Sequence, residues 1–216
     1  MANRITIARF PLLILTILLL YAPSPWLRML SVIAIIVLII MDSLDGMVAR
    51  ARHEESLLGS VLDIMTDRSV ELVLWICYGH LGLISVVVPI IFVLRGTVVD
   101  SLRSVWVGQG QAPFKAMRSK LGKWLVSSPW MRSTYAVCKV VAFAALAVAH
   151  MLAAFAVQGS VSAETVAAVG TFGVIMSWLS VFFCLARGIP VVVELLPRLA
   201  AQSKELINDD QSSGPV

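Results

Sequence analysis

The chain has 216 residues, 59% of them hydrophobic and only 14% charged, with a net charge of +4 and a mean hydropathy of +0.90. Soluble domains carry charge at about a quarter of their positions, so composition argues against a soluble domain and for one polytopic membrane domain. So apolar a chain with so small a positive charge fits anionic lipid heads and phosphorylated ligands, and does not fit nucleic acid.

The apolar runs, taken in order, predict an all-α polytopic membrane protein with six transmembrane helices and a short amino-terminal amphipathic helix over Asn3–Arg9. The first span covers 8–23. It lacks a small-residue cleavage site after it and is expected to stay as a membrane helix. The second covers 26–50, with Met29–Met41 free of charge before Asp42 is reached. The third, 59–80, opens with a second pair of aspartates and closes on a tight turn at His80-Leu81-Gly82. The fourth covers 83–107, with Pro89 in its outer half. The fifth covers 134–157. The sixth covers 163–187 and continues toward 197 beyond a break expected at Gly188-Ile189-Pro190. Several charge-free cores fall short of the ~20 residues a span needs, so charged extensions complete them. Residues 1–200 form the membrane domain, and the polar stretch 201–216 reads as a disordered tail.

The connection 108–133 is basic (Lys115, Arg118, Lys120, Lys123, Arg132) and carries Trp124 and Trp130, as a segment at the membrane interface does. With both termini in the cytosol, every one of the 17 Lys and Arg except Arg28 falls on the cytosolic side or in a cytosol-proximal helix end. The opposite orientation inverts that distribution, so the positive-inside rule selects the first. The expected location is the cell (inner) membrane. Cys77, Cys138 and Cys184 lie singly in apolar surroundings, as small buried hydrophobes do. His53, His80 and His150 are equally scattered and form no ligand set.

Residues 42–67, DSLDGMVARARHEESLLGSVLDIMTD, hold the chemistry. Asp42 and Asp45 are three apart, and Asp63 and Asp67 are four apart, so on helices each pair projects from one face. Ionisable groups beside hydrocarbon are costly and point to function. Four carboxylates together repel unless a cation lies between them. All-oxygen ligation without His or Cys suits Mg²⁺, Mn²⁺ or Ca²⁺ rather than Zn²⁺. Gly46, Ala49 and Gly59 accompany the aspartates, and a glycine inside a helix, costing about 1 kcal/mol, calls for a reason such as close approach of a ligand. Arg50 adds a fork suited to phosphate. Together these residues describe a metal-assisted site for a phosphate-bearing ligand. Glu54 and Glu55 read as a solvated loop, and Glu71, one turn after Asp67, as a further ligand or the partner of a basic residue.

The run resembles the signature of the CDP-alcohol phosphotransferases, D-x2-D-G-x2-A-R-x8-G-x3-D-x3-D, at every fixed position: Asp42, Asp45, Gly46, Ala49, Arg50, Gly59, Asp63 and Asp67. The resemblance implies displacement of CMP from a CDP-linked lipid by an alcohol, two divalent cations (Mg²⁺ or Mn²⁺) and a homodimer. It implies Asp42, Asp45 and Asp63 as ligands, and Asp67 as the base for the acceptor hydroxyl and as a further metal contact. Gly46, Ala49, Arg50 and Gly59 would receive the CDP group.

For the acceptor, Arg95 and Arg103 lie eight apart, about two helical turns, and can share a face. Lys123 and Lys139 can join them in a basic hollow for a phosphorylated alcohol. The opening Asn3-Arg-Ile-Thr6-Ile-Ala-Arg9 is similar to the N-x2-T-x2-R of phosphatidylglycerophosphate synthases. The stretch Arg95 to Leu102-Arg103 resembles their R-E-x3-S-x-L-R, with Gly96 in place of Glu. Leu121-Gly122-Lys123 matches their Gly-Lys element, and the following Trp124 to Met131 departs from their T-x2-Q. The expected partners are therefore CDP-diacylglycerol, sn-glycerol 3-phosphate and membrane lipids. Inositol phosphate, or phosphatidylglycerol as in cardiolipin synthesis, is the alternative acceptor. A divalent-cation transporter is the alternative from another class, against which Arg50 and the fixed small residues count.

Overall fold

The computed structural model describes residues 2–52, 57–108 and 119–212, and the side chains of 6–42, 59, 61–102, 104, 105, 119 and 122–201. Among them there is no strand. The helices are α1 (Ala2–Leu20), α2 (Pro25–Arg52), α3 (Leu57–His80), α4 (Val87–Gly108), α5 (Lys120–Ser127), α6 (Pro129–Val157) and α7 (Ala163–Ser212). They divide into two compact units, Met1–Ile90 with Val137–Ser180, and Ile91–Ala136 with Val181–Val216.

In the first unit α1 packs on α2 and α3. Its interior is built from Leu20, Ile35, Leu38, Leu74, Trp75 and Leu146, all with essentially no exposed surface. Trp75 of α3 stacks on Phe143 of α6 with ring centroids 4.6 Å apart. Tyr78, buried one turn on, satisfies its hydroxyl by donating to the Phe143 carbonyl at 2.8 Å, as a buried phenol must. Two helices of this unit end in the same way. After α3 the Leu83 amide donates to the Tyr78 carbonyl at 3.0 Å and Gly82 to Gly79 at 3.1 Å. After α6 the Ser160 amide donates to Phe155 at 3.2 Å and Gly159 to Ala156 at 2.9 Å. Gly82 and Gly159 have φ of 71° and 74°, the left-handed geometry this helix stop requires. The turn expected at His80-Leu81-Gly82 is thus a glycine C-cap.

In the second unit Val99, Val126, Val191 and Leu195 form a buried cluster, with Val192 and Leu199 against it. The short α5 is capped by Ser119, whose hydroxyl accepts from the Gly122 amide at 2.8 Å.

Two expectations meet a different structure. The amphipathic stretch 3–9 is not a separate helix but the first turns of α1, which runs through Pro11. The break expected at Gly188-Ile189-Pro190 is absent, and α7 passes through Pro190 and Pro197. Burial of Val191 and Leu195 just beyond supplies the packing that holds a proline-bearing helix on course, and bundles re-satisfy the backbone groups proline frees. Helix α7 ends at Ser212.

Among the described residues three helices are long and apolar enough to cross a membrane, over Pro25–Asp42, Pro129–Val157 and Ala163–Ala201, and the apolar stretch Thr6–Leu20 is shorter. Helices α3 and α4 fall below that standard because Asp63, Asp67, Arg68 and Glu71 interrupt the one and Arg95, Asp100 and Arg103 the other. Large apolar side chains, Leu18, Ile33, Leu94, Ile175 and Phe182 among them, are exposed. An apolar outer surface of that extent belongs in lipid.

Candidate active site

Asp42 stands at the end of the apolar span of α2, and Asp63 and Asp67 stand one turn apart on α3. One carboxylate oxygen from each lies within 4.8 Å of the others. The side chains are 42%, 50% and 46% exposed, so the cluster is open to solvent on one side. Three ionised carboxylates so close repel one another strongly. The compensating charge comes from α1. Arg9 is 2% exposed, and its Nη2 lies 2.9 Å from Asp42 Oδ1 and 3.0 Å from Asp67 Oδ1. Its Nη1 lies 4.0 Å from Asp63 Oδ1. A buried guanidinium is tolerated only with such partners.

The donor set fits a hard divalent cation. It consists of carboxylate oxygens alone, converging from two helices, each side chain about half exposed. Asp45 follows Asp42 by three residues on the same helix. Its side chain, and those of Gly46, Ala49 and Arg50, lie outside the described residues, although the helix bounds of α2 include all four. Gly59 is half-buried on the first turn of α3, one turn before Asp63.

Glu71 is buried one turn beyond Asp67. It accepts from Lys139 Nζ of α6 at 2.8 Å and from Arg68 Nη1 at 3.1 Å. Glu71 is therefore the partner of basic residues, and Lys139, expected on the acceptor, is engaged with it.

Arg95 and Lys123 belong to the second unit, and the Arg103 side chain lies outside the described residues. Lys123 is exposed on α5. The stem of Arg95 runs over Gly188 of α7: a Cβ there would lie 2.9 Å from Arg95 Cγ and 3.2 Å from its Nε. Arg95 Nε is buried and has no hydrogen-bond partner. The neighbouring Arg187 holds its guanidinium carbon 5.5 Å from the centre of the Tyr135 ring and donates from Nη2 to the Val126 carbonyl at 3.4 Å. Arg187 and Arg9 are not among the candidate site residues that the sequence singles out. The signal for Arg9 was the T-x2-R spacing, and Arg187 gave none.

These features define a helical protein with apolar spans and a carboxylate cluster able to hold a cation. The family model of the CDP-alcohol phosphatidyltransferases matches residues 1–196, and the chain belongs to that family. No curated protein matches it. The family transfers a phosphatidyl group from a CDP-alcohol to an alcohol acceptor. The chain is thus a transferase of phospholipid biosynthesis and an integral membrane protein, in a family typically dependent on a divalent metal.

Proposed function

We propose that the protein transfers the phosphatidyl group of CDP-diacylglycerol to the primary hydroxyl of sn-glycerol 3-phosphate and releases CMP. The convergence of Asp42, Asp63 and Asp67 within 4.8 Å carries this reading, together with the unbroken signature from Asp42 to Asp67. Asp42, Asp45 and Asp63 would hold two Mg²⁺ or Mn²⁺ ions, and Asp67 would be a further metal contact. When bound, the ions supply charge neutralisation at the pyrophosphate and at the departing CMP. By the family signature, Gly46, Ala49 and Gly59 would receive the nucleotide and Arg50 would serve its phosphates. Asp67 takes the proton of the acceptor hydroxyl. The hydroxyl oxygen forms a bond to the lipid-side phosphorus, and the bond from that phosphorus to the oxygen bridging to CMP breaks. The electron pair leaves with CMP.

The acceptor reading rests on Arg95, Arg103 and Lys123, with Arg187 added by its closeness in sequence to Gly188. A buried, unpartnered Nε on Arg95 is a donor prepared for an anion. Six spans, cytosolic termini, a cell (inner) membrane location and a homodimer complete the proposal. A screen of glycerol 3-phosphate, inositol phosphate, glycerol and phosphatidylglycerol on purified protein with CDP-diacylglycerol, read by lipid mass, tests it. Product with glycerol 3-phosphate alone is expected, and product only with a neutral acceptor would overturn the acceptor assignment. The departure from T-x2-Q at Trp124 to Met131 leaves another acceptor, inositol phosphate or phosphatidylglycerol, as the second reading.

A further inference from the structure

We infer that Arg9 is the resident counter-cation of the aspartate cluster: it holds Asp42, Asp63 and Asp67 together when no divalent ion is bound, and it opposes the binding of one. The inference rests on the metal-site reading above and goes beyond it.

The geometry is unequal in a way that carries the argument. The three acids are about half exposed, whereas the cation that joins them is 2% exposed and comes from a third helix. A guanidinium so deeply buried needs its partners far more than half-exposed carboxylates need it. Its Nη2 contacts acids from both α2 and α3, at 2.9 Å and 3.0 Å, so one charge spans both ligand helices. A divalent ion reaching the open side meets this fixed positive charge across the same carboxylates. Repulsion between a single and a double charge a few ångströms apart exceeds a tenfold effect on affinity even at the dielectric of water. Arg9 therefore keeps the cluster assembled and its intrinsic metal affinity low. The site is then tuned to fill when an anionic ligand adds negative charge from the solvent side.

The test uses full-length protein in detergent, with Mn²⁺ as probe and its free paramagnetic signal as readout, alongside thermal melting. Wild type is expected to bind Mn²⁺ weakly. R9M is expected to bind it about tenfold or more tightly, to melt lower without metal, and to gain more melting temperature from Mn²⁺ than wild type does. R9K keeps the charge and should stay near wild type in affinity. If R9M is too unstable to study without metal, recovery of a folded, cooperative melt on adding Mn²⁺ supports the inference, and failure to recover overturns it. An R9M affinity equal to or below that of wild type also overturns it while leaving the metal site intact. No Mn²⁺ binding by either protein removes the metal reading and this inference with it.

Discussion

Lys139 of α6 donates to Glu71 of α3 across 2.8 Å, closing a part-buried ion pair one helical turn from Asp67. The pair ties the helix that bears the site to the helix that stacks Phe143 on Trp75. Removing one partner leaves the other charge behind, which costs roughly 3–5 kcal/mol in a fully buried pair and less here, where Lys139 is part-exposed. Arg68 stays bonded to Glu71 and moderates the loss. K139M should therefore lower the melting temperature, and the double variant E71Q/K139M should recover part of it. Were Lys139 instead engaged on the acceptor phosphate, K139M would raise the acceptor KM with the melt unchanged.

Gly188 lies under the stem of Arg95. A methyl group there would sit 2.9 Å from Arg95 Cγ, so G188A must move Arg95. The expected result is a raised KM for glycerol 3-phosphate with the KM for CDP-diacylglycerol unchanged. R95A should act likewise, on the order of ten- to a hundredfold, since a charge-assisted bond is worth roughly 1.5–3 kcal/mol. R95K should rescue only partly, because a point charge cannot reproduce the fork. Steady-state kinetics with each substrate varied in turn separates the two constants.

Gly173 on α7 touches Leu146 on α6. A Cβ at this position would lie 2.9 Å from Leu146 Cδ2 and 3.3 Å from its backbone nitrogen. A side chain can swing away, and a helix backbone cannot. G173A should cost roughly 1–3 kcal/mol by overpacking, visible in thermal melting, and L146V should restore part of it. A melt unchanged in G173A would mean that the two helices separate freely.

The aspartates should separate by role. D67N should cut turnover by ~10²–10⁴-fold and leave part of the Mn²⁺ affinity. D42N and D63N should weaken Mn²⁺ binding itself. Equal loss of affinity in all three would make Asp67 one more ligand with no distinct base role.

The carboxylate face was legible because helical spacing fixes it: three and four residues are the separations that share a face. The turn at Gly82 was legible because only glycine takes its φ of 71° without strain. Arg9 was not placed at the site by pattern, since its contact with Asp67 joins positions 58 apart and depends on how α1 packs. The pairing of Glu71 with Lys139, 68 positions apart, was open for the same reason. Gly188 lies inside α7 and not at a helix break. Local propensity argues for a break beside a proline, whereas the tertiary structure uses the missing Cβ for Arg95.

The most direct measurement of the central claim is the lipid product formed by purified protein from CDP-diacylglycerol and glycerol 3-phosphate, with and without chelator. The account predicts phosphatidylglycerophosphate and CMP in equal amounts with Mg²⁺ or Mn²⁺, no product in excess chelator, and recovery when the metal is restored. Undiminished product in metal-free buffer would contradict it.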